Sequence, residues 1–259
     1  MVFLSPAQRK LFATGVPIFT YHSIGPRAPG ARDPFLYVPT EQFDEQLARL
    51  RRENFQTVSL SDFAAASRDS ERKAIITFDD GCANVFQNAL PALSRHGAKA
   101  IQFLVARFIG GRNDWMTRHG DAEERLMDDA QVRDWLAAGH EIGSHTLTHA
   151  NLPKLAPAAA REEISASKKL LEEKFGRPVR HFCYPGGKWN EAVRDLVAEA
   201  GYETACTTRF GVNPPGAPPH ELRRIVPLTR GELIGKILHR LFRKLRSERS
   251  QNSPDARTP

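Results

Sequence analysis

Short apolar runs alternate with segments of helical periodicity along most of the chain. The runs are almost continuously hydrophobic, as strands are when both faces of a parallel sheet are covered. One run, KAIITF, ends directly at two acidic residues. The pattern predicts buried strands at residues 16–21, 73–78, 98–106, 140–145, 181–185 and 203–208.

Amphipathic helices with recognisable ends separate these strands. Residues 161–175 place apolar side chains at helical spacing, and Gly176 followed by Pro178 ends that helix. The next helix begins at Asn190, a favourable N-cap, and ends at Gly201. Repeated alternation of strand and helix predicts an α/β fold, namely a distorted (β/α)7-type barrel in a single domain. An open doubly wound sheet is the alternative, but we find no glycine-rich phosphate loop that would favour it.

The composition is that of an ordinary soluble globular protein, with 41% hydrophobic and 26% charged residues among 259. No segment approaches the roughly 18 consecutive apolar residues of a membrane-spanning helix. The N-terminus lacks the pattern of a secretory signal, so we expect a cytoplasmic protein. The three cysteines are odd in number and widely spaced, which indicates neither a disulfide framework nor a Cys-x-x-Cys zinc site.

The net charge of +7 is a property of one segment rather than of the whole chain. Residues 238–249, LHRLFRKLRSER, supply most of a basic cluster, so we expect no nucleic-acid partner. A helix there would carry an apolar stripe that either packs on the barrel, the interpretation we favour, or rests on an anionic membrane as a peripheral contact. We therefore predict an N-terminal lead at 1–15, a catalytic domain at 16–230, and a basic amphipathic helix with a disordered tail at 231–259.

Two adjacent carboxylates, Asp79 and Asp80, follow the strand at 73–78 in the motif TFDDG. In parallel β/α folds, active sites form at the carboxyl ends of strands. Neighbouring acids at such an edge repel each other unless a cation or a shared proton relieves them. The motif indicates a metal site, and the alternative is a solvated turn.

Two histidines, His145 and His149, lie four residues apart in the motif HTLTH. If this segment is helical, both imidazoles share one face and can reach a single ion. One carboxylate and two histidines make a facial triad that leaves positions open for water and substrate. Asp80, His145 and His149 are therefore candidate metal ligands, and Asp79 is free to act as a base.

A third motif, YPGG, follows the strand at 181–185 and contains Gly186. A glycine lets a backbone N–H approach a ligand closely, as an oxyanion hole requires. On local sequence alone, a simple tight turn is the favoured explanation.

Together, TFDDG, HTLTH and the PGG turn resemble the polysaccharide deacetylase family (carbohydrate esterase family four), which includes chitin, chitooligosaccharide, peptidoglycan and poly-N-acetylglucosamine deacetylases. The similarity runs from about residue 17 to residue 227. It implies a barrel of about seven β/α units and one divalent ion, zinc or alternatively cobalt or nickel, on Asp80, His145 and His149. It also implies that Asp79 is the catalytic base.

The chain departs from the family's fullest motif around the third segment. Cys183 stands where those members have an arginine that orients the base, and Gly186 stands where they have a tyrosine. The arginine is therefore missing at this position, while the Gly186 N–H remains a candidate oxyanion donor.

The catalytic acid has two candidates. VPIFTYHSIGP resembles the opening Tyr-His strand of circularly permuted members, which implies that His22 is the acid. His239, in a Leu-His sequence near the C-terminus, is the candidate that unpermuted members would suggest.

The resemblance implies a hydrolase that removes N-acetyl groups from amino sugars of a poly- or oligosaccharide. In the expected reaction, Asp79 takes a proton from metal-bound water, Gly186 stabilises the oxyanion, and His22 protonates the leaving amine. Trp115 and Trp189 are candidates for stacking on sugar rings, or else ordinary core residues. The alternatives are an amidohydrolase acting on a small non-sugar amide and a non-catalytic carbohydrate-binding barrel.

Overall fold

Parallel strands form the framework of the protein. The structure, a computed structural model, describes residues 10–63, 72–117 and 122–227. The described residues up to Val226 belong to one structural unit. The basic segment at 231–259, His239 and the proposed boundary at residue 230 lie outside the described residues, as does most of the N-terminal lead.

The strands and helices alternate as the hydrophobic pattern predicts. The strands are β1 (Ile18–Tyr21), β2 (Ser23–Ile24), β3 (Tyr37–Val38), β4 (Gln56–Thr57), β5 (Lys73–Phe78), β6 (Ile101–Leu104), β7 (Glu141–Ser144), β8 (His181–Cys183), β9 (Thr204–Phe210) and β10 (Leu222–Arg224). The α-helices are α1 (Thr40–Arg52), α2 (Leu90–His96), α3 (Asp114–Thr117), α4 (Asp129–Ala137), α5 (Pro157–Phe175) and α6 (Glu191–Glu199).

The main sheet closes on itself. Its strand order is β1-β5-β6-β7-β8-β9-β10, and every neighbouring pair is parallel. The short strand β4 pairs in parallel with the amino-terminal end of β5. β10 returns to β1, because the Thr20 N–H donates to the Ile225 carbonyl at 3.0 Å and the Ile225 N–H donates to the Ile18 carbonyl at 2.8 Å. The distorted (β/α)7-type barrel is therefore confirmed, and the open doubly wound sheet is wrong.

The helix ends follow from local chemistry. α5 ends at Phe175 because Gly176 takes a left-handed conformation with φ of 65° and donates its N–H to the Glu172 carbonyl at 2.8 Å. Asn190 caps α6, as predicted, by accepting the Val193 N–H at 2.9 Å. No helix within the described ranges is long and apolar enough to cross a bilayer.

Side chains of the barrel strands alternate between the lumen and the helices outside. In β5, Ile75 belongs to the cluster inside the barrel, whereas Ile76 and Phe78 belong to the larger cluster beneath the helices. The next lumen-facing positions toward the carboxyl end are Thr77 and Asp79. This alternation puts an apolar layer at one level of the lumen and a polar layer next to the carboxyl edge. The lumen cluster contains Val16, Ile18, Leu60, Phe63, Ile75, Ile101, Phe103, Cys183, Cys206 and Leu222.

Candidate active site

The chain turns sharply where β5 ends, and the turn separates the two neighbouring carboxylates. Asp80 has φ of 72° and Gly81 has φ of 82°. A left-handed conformation is unfavourable for an aspartate and persists only where the surroundings enforce it. As a result, Asp79 contacts side chains of the barrel lumen, whereas Asp80 faces the loop that follows β7.

The structure brings Asp80, His145 and His149 together as the sequence predicts. The Asp80 Oδ1 atom lies 3.5 Å from His145 Nε2 and 3.4 Å from His149 Nε2. One potential ligand atom of each residue lies within 4.8 Å of the others. The buried Oδ1 atom makes no hydrogen bond to the described residues. A cation shared by these three atoms would satisfy it, so the donor set fits a divalent ion of the zinc type.

The protonation of His145 also suits a metal ligand. Its Nδ1 atom lies 2.7 Å from the Cys183 carbonyl, so Nδ1 carries the proton and donates it. Burial lowers the pKa of His145 to about 4, which keeps the imidazole neutral at pH 7 with a lone pair on Nε2. Burial alone would raise the pKa of Asp80, but the neighbouring histidines, His149 foremost with His22 and His145, hold that pKa below its ordinary value.

The segment between the two histidines is a loop. The possibility that a helix places both imidazoles on one face is therefore wrong. Thr146 and His149 both have positive φ, 68° and 62°. Glu163 of α5 fixes this loop by accepting the Thr148 N–H at 2.9 Å and the Thr148 hydroxyl at 2.6 Å. Trp115 stacks on the His149 ring at 4.7 Å. The two imidazoles therefore converge through strained backbone and packing, rather than through helical spacing.

Asp79 pairs with a buried arginine that the sequence analysis did not identify. Arg224, on β10, donates from Nη1 to Asp79 Oδ1 and from Nη2 to Asp79 Oδ2, each at 2.7 Å. The guanidinium also donates to the Thr77 hydroxyl at 3.1 Å and to the Thr207 carbonyl at 2.8 Å. These partners fix it in the lumen, and only 1% of the side chain is exposed.

Arg224 reaches Asp79 beside Cys183, the position at which the fullest family motif has an arginine. The Cys183 Sγ atom lies 3.1 Å from Arg224 Nη2 and 3.6 Å from Asp79 Oδ1, so the thiol and the guanidinium share one cluster. Burial alone would raise the pKa of Asp79, but the charge and hydrogen bonds of Arg224 outweigh it and hold that pKa well below its ordinary value. Asp79 is therefore a carboxylate at neutral pH.

His22 and Gly186 lie at the same edge of the barrel. His22 directly follows β1, and its Nε2 atom is 3.8 Å from Asp79 Oδ2. Gly186 lies in the 3-10 turn Pro185–Gly187 after β8, with φ of 58°. The next residue, Gly187, has to be glycine, because a Cβ atom there would lie 2.0 Å from the Thr208 hydroxyl. The placement of His22 and Gly186 agrees with the expected acid and oxyanion donor, and these roles stay predictions.

Comparison with known proteins points to one family. The sequence profile of the polysaccharide deacetylase family matches residues 66–205. YxkH of Bacillus subtilis (strain 168), whose assignment as a polysaccharide deacetylase is provisional, is 30% identical over 200 residues, or 76% of this chain and 65% of YxkH. The peptidoglycan-N-acetylglucosamine deacetylase of Bacillus cereus is 31% identical over 137 residues, or 52% of this chain and 56% of that protein. The matched part of the chain thus spans between 56% and 65% of the length of these relatives.

The barrel is also similar to a solved structure. It superimposes on the Streptococcus pyogenes deacetylase PplD, solved in complex with acetate, with a TM-score of 0.72 and 24% identity, covering 83% of this chain and 93% of that one. At this identity the likeness establishes the fold alone. The family profile, in contrast, covers more than half of the 259 residues. The chain therefore belongs to the polysaccharide deacetylase family.

Proposed function

We propose that the protein is a metal-dependent hydrolase that removes N-acetyl groups from amino sugars of a poly- or oligosaccharide. The observation that carries the proposal is the pairing of two unlike units at the end of β5. One is a carboxylate held by a buried arginine, Asp79 with Arg224, and the other is a ligand set of Asp80, His145 and His149. The relatives that act on N-acetylglucosamine polymers support the substrate class.

Each residue has a proposed role that follows from its surroundings. Asp80, His145 and His149 would hold a divalent ion, which would supply Lewis acidity toward a water molecule and the acetyl carbonyl. Asp79 accepts a proton from the attacking water, and Arg224 keeps the Asp79 carboxylate ionised and oriented. The Gly186 N–H stabilises the developing oxyanion. One such donor lowers the activation free energy by on the order of 3 kcal/mol in comparable sites. His22 donates a proton to the leaving amine, so that acetate and a free amino sugar result.

The ligand set favours zinc. One carboxylate and two imidazoles with open positions match catalytic zinc sites, and the same set accepts cobalt or nickel. His145 is neutral at pH 7 and fixed by the Cys183 carbonyl, which disfavours hard cations such as calcium that select oxygen ligands.

The proposal is tested by acetate release from N-acetylglucosamine oligomers, with small N-acetyl amides as comparison substrates. Chelation should abolish the release, and added zinc, cobalt or nickel should restore it. Selective hydrolysis of the small amides would instead indicate an amidohydrolase. Full turnover after thorough chelation, from protein that contains no metal, would refute the metal mechanism.

A further inference from the structure

A groove of about 960 Å³ opens beside the candidate active site. Asn151, two residues after His149, and Gly187, next to Gly186, both line it. The loops after β7 and β8 therefore contribute to both the groove and the site. Because these loops lie at the carboxyl edge of the barrel, a chain of sugars that places one unit at the site can extend into the groove.

The groove carries an excess of positive charge. Its charged lining residues are Lys154, Lys188, Arg194, Arg209, Glu191 and Glu221. The Glu221 carboxylate is shared by two guanidinium groups, with Arg194 Nη1 at 3.1 Å from one oxygen and Arg209 Nη1 at 3.1 Å from the other. Arg194 also donates from Nε and Nη2 to Asp195 Oδ1, at 3.0 and 2.9 Å, so two carboxylates balance the two arginines. The excess of positive charge in the groove therefore comes from the two lysines, against the one remaining carboxylate, Glu191.

Two lysines supply this excess. Lys154 and Lys188 are exposed, and neither forms an ion pair with another described residue. In contrast, Lys168, Lys169 and Lys174 on α5 each lie within 4.0 Å of a carboxylate. The Arg209 guanidinium lies over the Trp189 ring at 4.5 Å, which holds that cation at the groove wall. The groove thus presents partly fixed and partly free cations toward a ligand.

We propose that this groove binds an acidic sugar unit, one that carries a carboxylate or a phosphate, adjacent to the N-acetylated unit at the metal site. This inference rests on the proposed deacetylase function and narrows its substrate to an anionic glycan. The two lysines would meet such a group as mobile point charges. A neutral polymer such as chitin would leave the lysine charges without a partner.

The test compares three oligosaccharides of equal length, each with one N-acetylglucosamine unit to be deacetylated. The neighbouring unit is neutral in the first, carries a carboxylate in the second and a phosphate in the third. We expect kcat/KM to be about tenfold higher for at least one acidic substrate, chiefly through a lower KM. Half-molar salt should remove most of the preference, because it screens exposed charges. The acidic substrate with the higher kcat/KM, whether it carries the carboxylate or the phosphate, identifies the acidic group that the groove binds.

The variants assign the preference to the groove. Lys154→Gln combined with Lys188→Gln should bring the ratio of kcat/KM for acidic over neutral substrate close to one. The matched control is Lys169→Gln, which removes an exposed lysine on α5 that is 3.9 Å from Glu173, and it should leave the ratio unchanged. A wild-type ratio near one, with the neutral oligomer still deacetylated, would overturn the inference and leave the proposed function intact.

Direct binding separates the two proposals if none of the three substrates is hydrolysed. That result would count against the deacetylase function. Calorimetric titration of the holoenzyme with the acidic oligosaccharides would then test the groove. Tighter binding to the wild type than to the double lysine variant would support it, and equal affinities would overturn it.

Discussion

Asp79 and Asp80 are neighbours in sequence, but among the described residues only Asp79 is paired with an arginine or lysine. Asp79 meets the guanidinium of Arg224 inside the barrel, at 2.7 Å to both oxygens. Asp80 meets two imidazoles at 3.4 and 3.5 Å, and its buried Oδ1 atom has no hydrogen bond to the described residues. His145 is neutral at pH 7, so it brings a lone pair rather than a charge. On the lumen side of the site, Asp79 therefore has its counter-charge within the protein. On the loop side, after β7, Asp80 and the two histidines need a cation from outside the chain.

The largest effect should come from removing the carboxylate on the lumen side. Asp79→Asn should lower kcat by about 100-fold or more, because an amide cannot accept a proton. Steady-state acetate release measures this, and a thermal melt controls for the loss of the pair with Arg224. Activity within a few-fold of the wild type, from folded protein, would show that Asp79 is not the base.

His22 tests whether the first barrel strand supplies the acid. His22→Ala should lose about 100-fold in turnover and keep its metal, because the imidazole lies near Asp79, at 3.8 Å, and not among the metal ligands. His239→Ala is the comparison variant and should be nearly neutral. The reverse pattern would mean that the chain is not permuted in the way its N-terminal strand suggests.

Arg224 should have a smaller effect with a distinctive pH dependence. Burial raises the pKa of Asp79, and Arg224 lowers it more than His145 and His22 do. Arg224→Met removes this largest opposing contribution, so the pKa of Asp79 rises. Asp79 acts as a base only when deprotonated. The acid limb of kcat/KM should therefore shift to higher pH, with about tenfold loss near neutrality and partial recovery in alkali.

Arg224→Lys sharpens this prediction, because lysine keeps the charge and loses the paired hydrogen bonds. It should shift the acid limb less than Arg224→Met. An unchanged pH profile in both variants, whatever the loss of rate, would reduce Arg224 to a structural role.

The same contrast explains how much could be predicted from the sequence. The candidate metal ligands lie within short motifs that follow recognisable strands, so residue type and position at strand ends are enough to predict Asp80, His145 and His149. The backbone conformation of this loop could not be predicted, because the left-handed conformations of Thr146 and His149 have no clear signature in the sequence.

The lumen side depends on a partner from the far end of the chain. Arg224 lies 145 residues from Asp79 in a strand of three residues, too short to be recognised from its hydrophobicity. The sequence there reads Leu222-Arg223-Arg224-Ile225, and nothing in it distinguishes the arginine that is exposed in the structure from the one that is buried. A charged residue at a lumen-facing position interrupts the apolar pattern that identifies a barrel strand, so the element that completes the site was the one missed.

The measurement that tests the account most directly is the metal content of Asp79→Asn and Asp80→Asn, purified side by side and loaded with zinc under identical conditions. Both variants replace a buried carboxylate by an amide at adjacent positions, so each controls for the other. We predict about one zinc per chain in the wild type and in Asp79→Asn, and little or none in Asp80→Asn. Equal zinc in the two variants, or loss of zinc from Asp79→Asn alone, would contradict the division of the site into a base held by Arg224 and a metal centre on Asp80.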